Sequence, residues 1–199
     1  MTVFFDVDTQ LDFLYPAGAL YVPGAEAIVD RIAGLNRWAA EHGIPVVSTM
    51  DAHSENDSEF RDWPPHCIAG TLGQRKPAST LLEKRVIVPN TPGLPETEAA
   101  EQILAEQFLL EKQALDCSTN VNLTGLLHRL GAERCVVYGV VTEICVKFAA
   151  MGLLKTGRRV ELVCDAIKEL DPAACAKMMA EFTASGGVLT SSDQLFGEV

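Results

Sequence analysis

Cys145 stands at a point in the chain where a thiol could act as a nucleophile. It follows the apolar run CVVYG (135–139), which predicts a buried strand, and it falls in the first turn of the predicted helix EICVKFAAMGLLKTG. Backbone N–H groups at a helix N-terminus favour a thiolate and could hold an oxyanion. Three β-branched residues fill the short turn before the helix, Val140, Val141 and Thr142. That composition is unusual for a relaxed turn and is expected where backbone strain serves an active site.

Two groups that could activate such a cysteine follow other predicted strands. Asp8 comes after the run TVFFDV, and Lys112 ends the run QFLLEK. A carboxylate could accept the thiol proton, and a nearby lysine would lower the thiol pKa because it stabilises the thiolate. The alternative for Cys145 is a small apolar side chain in the core, which is the commoner role of a cysteine in an α/β domain. Three of the other cysteines are expected to pack in this way: Cys135, Cys164 and Cys175.

A stretch rich in acids and histidines predicts a metal site. Asp51 and His53 are two residues apart, so their side chains point the same way in an extended segment, and His66 follows in the same stretch. An Asp/His/His set with open positions suits Zn²⁺, Mn²⁺ or Fe²⁺. The alternative is that both histidines are exposed loop residues. Three nearby acids are candidates for a fourth protein ligand: Glu55, Asp57 and Glu59.

The elements around these residues alternate between strand and helix. Short β-rich runs are separated by segments with helical spacing of apolar residues, such as 24–43 and 171–187. The alternation predicts βαβ units and a three-layer, doubly wound parallel sheet with helices on both faces. Sites gather at the carboxyl ends of the strands in such folds. The long irregular segment 51–107, in which only RVIVP looks like a strand, is expected to be functional.

Length and composition limit the class of protein. The 199 residues are enough for one domain with a real core, and we expect a single domain over residues 1–199. A net charge of −11 argues against a nucleic-acid backbone or an anionic membrane as partner. No apolar run approaches the ~20 residues of a transmembrane helix, and the N-terminus lacks the pattern of a signal peptide. Six cysteines without a CxxC pair are typical of free thiols in a reducing compartment, so we expect a cytoplasmic protein.

Several motifs of the chain resemble those of one hydrolase superfamily. The segments DTQLDF, DAH, WPPHCIAGT and GVVTEICV, together with a lysine at a strand end, match the isochorismatase-like cysteine hydrolases in order and approximate spacing. Within that superfamily the chain is most similar to nicotinamidases, and the resemblance covers nearly all of it. The resemblance implies a parallel sheet of roughly six strands. It also implies a catalytic triad of Asp8, Lys112 and Cys145.

The resemblance further assigns the surroundings of the triad. It implies that the peptide bond between Val140 and Val141 is cis and that the amides of Val141 and Cys145 form an oxyanion hole. A divalent transition metal is implied, with Zn²⁺ expected first and Mn²⁺ or Fe²⁺ as alternatives. The implied metal ligands are Asp51, His53 and His66. The implied aromatic residues of the substrate pocket are Phe13 and Trp63.

Two positions depart from the family's pattern. The run KQALDCSTN after Lys112 has no aromatic residue, and Asp57 stands where a second metal-loop histidine often occurs. Both changes touch the pocket rather than the triad, so hydrolysis is expected while the amide is left open. We expect a small-molecule amide as substrate, with nicotinamide cleaved to nicotinate and ammonia through a thioester. We also expect a homo-oligomer and no nucleic-acid or membrane partner.

Three other functions are compatible with the motifs to different degrees. One is a superfamily hydrolase that acts on a carbamoyl or ureido compound. Another is a vinyl-ether hydrolase of the isochorismatase type, a branch that lacks the metal and usually lacks the cysteine. The third is a non-catalytic ligand-binding protein or thiol sensor in which Cys145 reacts only with oxidants. Asp8 and Lys112 argue against the sensor, because a sensor needs no proton shuttle.

Overall fold

A single parallel sheet forms the centre of the protein. The computed structural model describes residues 1–92 and 105–197. Seven strands pair in parallel in the order β3-β4-β2-β1-β5-β6-β7. The strands are β1 (Thr2–Val7), β2 (Val46–Asp51), β3 (Arg85–Val88), β4 (Gln107–Lys112), β5 (Arg134–Val140), β6 (Arg159–Lys168) and β7 (Val188–Thr190).

Helices lie between the strands, as the alternating pattern predicts. Within the described ranges the α-helices are α1 (Leu11–Leu14), α2 (Val29–Glu41), α3 (Leu123–Arg129), α4 (Lys147–Lys155), α5 (Pro172–Ala184) and α6 (Ser192–Phe196). Short 3₁₀ turns occupy 25–28, 58–61, 78–80 and 117–119. Among the helices of residues 1–92 and 105–197, each falls short of the length or the apolar character that a membrane crossing requires.

The predicted fold class is confirmed: a doubly wound α/β protein with a parallel sheet covered on both faces. Strand β1 reads as the nearly continuous apolar run TVFFDV because both of its faces are buried. The expected number of about six strands becomes seven, since RVIV forms the short edge strand β3 beside β4. The part of the predicted irregular segment between 93 and 104 lies outside the described residues. Helices α1 and α6 are additions that the apolar pattern did not predict.

The order of the strands places the site. Strand β1 is central. Strands β2, β4 and β3 lie on one side of it, and the later strands β5, β6 and β7 lie on the other. Ligands bind at such a reversal of strand order, outside the carboxyl ends of the strands. The carboxyl ends of β1, β2, β4 and β5 are therefore the ends that converge there.

Gly139 allows β5 to approach β1 closely near these ends. It pairs with Val7 and has a φ of 120°. A Cβ atom at this position would lie 2.1 Å from the carbonyl oxygen of Val7, so any larger residue would push the strands apart. The register of β5 against β6 also shifts between Val137 and Gly139. The close approach brings the turn after β5 beside the turn after β1.

The segment after β5 differs in detail from the predicted helix start. Residues Thr142–Val146 form one π-helical turn, and the α-helix α4 begins only at Lys147. Cys145 therefore lies in a widened turn that runs into a helix, rather than in the first turn of the α-helix itself. Single π-helical turns of this kind are frequent at functional sites.

Candidate active site

Asp8, Lys112 and Cys145 meet at the carboxyl edge of the sheet. Lys112 is the last residue of β4, and its Nζ lies 2.8 Å from Asp8 Oδ2 and 4.0 Å from Cys145 Sγ. All three side chains are buried, with relative exposures of 1% for Asp8 and Lys112 and 7% for Cys145. The structure thus brings together a carboxylate, an ammonium group and a thiol that are more than 30 residues apart in sequence.

Asp8 is held in place by the neighbouring strand. Its φ of 50° lies in the left-handed region, which is uncommon for a residue other than glycine. Thr49 on β2 donates from Oγ1 to Asp8 Oδ1 at 2.6 Å, and the Asp8 amide donates to the Thr49 carbonyl at 3.2 Å. Burial raises the pKa of Asp8, an effect that the charge of Lys112 opposes. A carboxylate with a raised pKa is suited to exchange protons near neutral pH.

Lys112 joins the triad to the predicted metal ligands. Besides Asp8, its Nζ donates a short hydrogen bond to Asp51 Oδ1. Burial opposes the charge of Lys112, but the carboxylates of Asp51 and Asp8 raise its pKa well above the usual range. Burial likewise acts against the charge of Asp51, and Lys112 outweighs it and holds the pKa of that carboxyl well below the usual range. These opposite directions both favour the charged forms, a protonated Lys112 and an ionised Asp51.

The surroundings of Cys145 favour the protonated thiol. Burial raises its pKa well above the usual range, Lys112 opposes this, and the charge and hydrogen bond of Asp8 reinforce it. The expectation of a lowered thiol pKa is wrong, because two carboxylates and the loss of solvent outweigh one ammonium group. Asp8 is the carboxylate that contacts the thiol, so it is the predicted acceptor of the thiol proton.

The turn that carries Cys145 offers backbone N–H groups. The peptide bond between Val140 and Val141 is cis. The amides of Ile144 and Val146 both donate to the Val141 carbonyl at 3.1 Å, while the Cys145 amide between them does not. Within the described ranges the Val141 amide has no hydrogen-bond acceptor. These two N–H groups, from Val141 and Cys145, are those expected to hold an oxyanion.

The predicted metal ligands also come together. One donor atom from each of Asp51, His53 and His66 lies within 4.8 Å of the others, and all three residues are buried. The Nε2 atoms of His53 and His66 are each 3.8 Å from Asp51 Oδ2. His66 Nδ1 lies 2.8 Å from the carbonyl oxygen of Pro64, a contact that suits an Nδ1–H donor and an Nε2 lone pair.

The structure distinguishes among the three candidates for a fourth ligand. Glu59 Oε1 lies 3.9 Å from Nε2 of both histidines, so it faces the same centre as Asp51 Oδ2. Asp57 Oδ2 instead lies 3.1 Å from His53 Nδ1, on the outer side of that ring. Glu55 is exposed. The geometry favours Glu59 as the fourth donor.

These residues fit a divalent transition metal. The Nε2 atom of His53, which faces this centre, has no hydrogen-bond partner within the described ranges, although the side chain is fully buried. A buried imidazole nitrogen that faces two carboxylate oxygens and a second imidazole is poorly satisfied without a cation. Two imidazoles and one or two carboxylates are a donor set for Zn²⁺ or a non-haem metal. The ring of Phe60 packs at 5.3 Å from the ring of His53 and 5.7 Å from that of His66.

One cavity opens onto both groups of residues. It reaches Cys145 and three of the side chains placed to hold a metal: Asp51, Glu59 and His66. Its other walls are apolar or aromatic: Phe13, Leu20, Val22, Trp63, Leu115, Val141, Ile144 and Leu170. No lysine or arginine of the described residues lines it. The cavity therefore suits a neutral, flat ligand with one reactive end near the thiol.

Sequence reasoning missed the role of Gln10 in the site and predicted a structural role for Asp12. Gln10 joins two loops, since its amide donates to the carbonyls of Asp51 and Gln74 and its oxygen accepts from the Asp51 amide at 2.7 Å. Asp12 accepts from the Cys67 amide at 2.7 Å and so fixes the backbone after His66. Both belong to the DTQLDF motif. Their polar side chains indicated that the motif is functional or structural, but their hydrogen-bond partners are distant in sequence and are defined only by the fold. Cys164 also differs from its prediction, because its side chain is exposed rather than packed.

Comparison with known proteins identifies relatives that hydrolyse amides. The family model described as the isochorismatase domain matches residues 2–194. The nicotinamidase of Escherichia coli is 25% identical, over 92% of this chain and 91% of its own. The maleamate amidohydrolase of Pseudomonas putida is 27% identical, over 95% and 83%. Among solved structures, the pyrazinamidase of Pyrococcus horikoshii in complex with zinc superposes with a TM-score of 0.77 and is 28% identical in sequence. The match covers 96% of this chain and 98% of the pyrazinamidase chain. The chain belongs to the isochorismatase family and is a hydrolase that resembles nicotinamidases.

Proposed function

We propose that this hydrolase is a metal-dependent cysteine amidase that converts nicotinamide to nicotinate and ammonia. The observation that carries the proposal is the position of Cys145 beside Lys112 and Asp8, on the floor of a cavity that Asp51, Glu59 and His66 also line. The nicotinamidase and pyrazinamidase relatives support an aromatic amide. Deamidation of nicotinamide would place the enzyme in the salvage of NAD.

The substrate ring is proposed to lie between Phe13 and Trp63, with its amide directed at Cys145. Flat aromatic walls favour an aromatic ligand through burial and ring contacts. The bound metal would supply a Lewis acid that orients the ring through its nitrogen. The side chains proposed to hold that metal are Asp51, His53, His66 and Glu59.

The chemistry proceeds in two halves. Asp8 takes the proton of Cys145, Lys112 stabilises the charge, and the sulfur attacks the amide carbon. The amides of Val141 and Cys145 donate to the oxyanion as the C–S bond forms. Asp8 then returns the proton to the nitrogen, the C–N bond breaks, and ammonia leaves a thioester on Cys145. Water, with Asp8 again as base, attacks the thioester and releases nicotinate and the free thiol.

The charge of the cavity argues for a neutral amide. A substrate such as maleamate carries a carboxylate, and recognition of a carboxylate normally uses arginine or lysine. Within the described residues no such side chain lines the cavity, and Lys112 beneath it already contacts Asp8 and Asp51. A neutral pyridine carboxamide leaves no charge unpaired in this pocket.

The test is ammonia release by the metal-loaded protein from a panel of amides. We expect nicotinamide to be the best substrate, benzamide to be poorer because it lacks the ring nitrogen, and maleamate and a carbamoyl amine to be poorest. Faster cleavage of maleamate or of the carbamoyl compound would replace the proposed substrate. No ammonia from any amide, with Cys145 reacting only with oxidants, would favour the thiol sensor.

Three further properties belong to the same proposal. All six cysteines are free thiols, which supports a reducing compartment such as the cytoplasm as the place of action. We propose that one domain extends over residues 1–199. A homo-oligomer stays a prediction, and light scattering of the purified protein measures it directly.

A further inference from the structure

The wall of the cavity at Leu170 is attached to the turn that carries the nucleophile. Leu170 lies just before helix α5, is 41% exposed and lines the mouth of the cavity that reaches Cys145. Its backbone amide donates to Glu143 Oε1 at 3.0 Å, and the amide of Asp171 donates to the same oxygen at 2.8 Å. Glu143 belongs to the π-helical turn Thr142–Val146 and stands two residues before Cys145. One carboxylate oxygen thus ties the wall to the turn.

Other groups also hold the start of helix α5. Asp171 already caps helix α5, since its own side chain accepts from the amides of Ala173 and Ala174. Helix α5 is also held to helix α4 by a separate ion pair, in which Lys147 Nζ lies 2.7 Å from Glu181 Oε2. Glu143 is thus one of several groups that hold the start of α5, and it is the acceptor for the backbone amide of Leu170.

We propose that Leu170 determines the size of the amide admitted to Cys145 and that Glu143 is a positioning residue that acts through Leu170. The identity of the amide rests on the function proposed above, but the size limit does not. A partly exposed leucine at the mouth would clash with a substituent on the outer edge of a bound ring. Its fixed backbone prevents the side chain from moving aside with the loop. A methylene-sized change in an apolar pocket alters discrimination by about tenfold or more.

The side chain of Glu143 offers a matched pair of variants. Its Oε1 accepts both amides, whereas its Oε2 is buried without a hydrogen-bond partner within the described ranges. Glu143→Gln keeps an oxygen that can accept both amides and replaces only the unpartnered atom. Glu143→Ala removes the acceptor. Lys147→Met breaks the other link to α5 and leaves Leu170 untouched, so it serves as the control for docking of the helix.

The first experiment does not depend on the substrate. The reduced protein, with its metal as purified, is alkylated with iodoacetamide and with the bulkier N-phenyl iodoacetamide, and modification of Cys145 is followed by peptide mass spectrometry. We expect Leu170→Ala and Glu143→Ala each to raise the relative rate of the bulky reagent by about tenfold. Glu143→Gln and Lys147→Met should keep the wild-type ratio. The double variant Leu170→Ala/Glu143→Ala should match the single variants, because both changes act on one wall.

The second experiment uses hydrolysis. With nicotinamide and a 5-substituted nicotinamide as substrates, Leu170→Ala and Glu143→Ala should raise KM for nicotinamide more than they lower kcat and should favour the larger ring. An unchanged alkylation ratio in Leu170→Ala would overturn the size limit. A ratio in Glu143→Gln equal to that of Glu143→Ala, or a matching change in Lys147→Met, would overturn the role of Glu143. If nicotinamide is not cleaved at all, the proposed function fails and the alkylation ratios still decide the inference.

Discussion

The ammonium group of Lys112 lies 4.0 Å from the sulfur of Cys145, although two strands separate β4 from β5 in the sheet. The contact is possible because Lys112 extends from the end of β4 across the ends of β2 and β1, where it contacts Asp51 and Asp8 on its way. The lysine thus contacts the proposed nucleophile, its proposed base and a carboxylate of the proposed metal site.

Replacing the nucleophile should abolish turnover. In Cys145→Ala no other side chain at the floor of the cavity can form a thioester, so we expect no ammonia release above background and an unchanged circular dichroism spectrum. Cys175→Ala is the control, since Cys175 lies on α5 and contacts Met179 at 3.9 Å. Turnover of Cys145→Ala within tenfold of the wild type would remove the cysteine from the mechanism.

Replacing the base should separate thiol reactivity from hydrolysis. Asp8→Asn removes a negative charge beside Cys145, so the thiol pKa should fall and alkylation should become faster at neutral pH. Hydrolysis should fall by at least ~10²-fold, because the proton acceptor and donor is lost. Alkylation rate against pH and ammonia release measure the two effects. Wild-type hydrolysis by Asp8→Asn would assign the proton shuttle to another acid, and Asp12→Asn would then be measured.

The acid limb of the activity profile should lie at higher pH than an ordinary carboxyl group predicts. Burial raises the pKa of Asp8 above 3.8, and only ionised Asp8 can accept the thiol proton. Hydrolysis is therefore retained above the raised pKa and lost as the pH falls through it. The profile of kcat/KM against pH measures this limb. A limb at or below pH 3.8 would contradict the assignment of Asp8 as the base.

Removing the central cation should destabilise the fold. Lys112→Met leaves the buried carboxylates of Asp8 and Asp51 without their partner, and such a loss typically costs about 3–5 kcal/mol. Lys147→Met, which breaks a pair whose side chains are 38% and 40% exposed, should cost less than about 1 kcal/mol. Urea unfolding of both variants in the presence of a chelator gives the two free energies of unfolding. Equal decreases in the free energy of unfolding would mean that the buried ion pairs of Lys112 stabilise the fold no more than the exposed pair of Lys147 does.

Metal content should depend on Glu59 as well as on the histidines. We expect roughly one transition-metal ion per chain in the purified protein, and its loss in His53→Ala. Glu59→Gln should weaken the binding of Zn²⁺ by at least about tenfold, because a charged donor near both histidines is lost. Glu55→Gln is the matched control, since Glu55 is exposed in the same loop. Equal affinity in Glu59→Gln and Glu55→Gln would exclude Glu59 as a ligand.

The amino-acid sequence by itself determined the class of fold and the family. Strand and helix periodicities are local, so the alternation of β and α elements and the parallel sheet were predictable, as were the motifs around Asp8, Asp51 and Cys145. Even the seventh strand was visible as the run RVIVP. What periodicity could not supply was the length of β2, whose last residue is Asp51, or the π-helical turn at Cys145.

Only the tertiary structure decided which of these groups interact and with what electrostatic result. The direction of the Cys145 pKa depends on burial and on the balance of one ammonium group against two carboxylates, and distances between strand ends set that balance. The choice of Glu59 over Asp57 depends on how the turn 58–61 folds back over His53 and His66. The link between Glu143 and Leu170 joins residues 27 positions apart. Such contacts arise from packing between distant segments, which spacing along the chain does not encode.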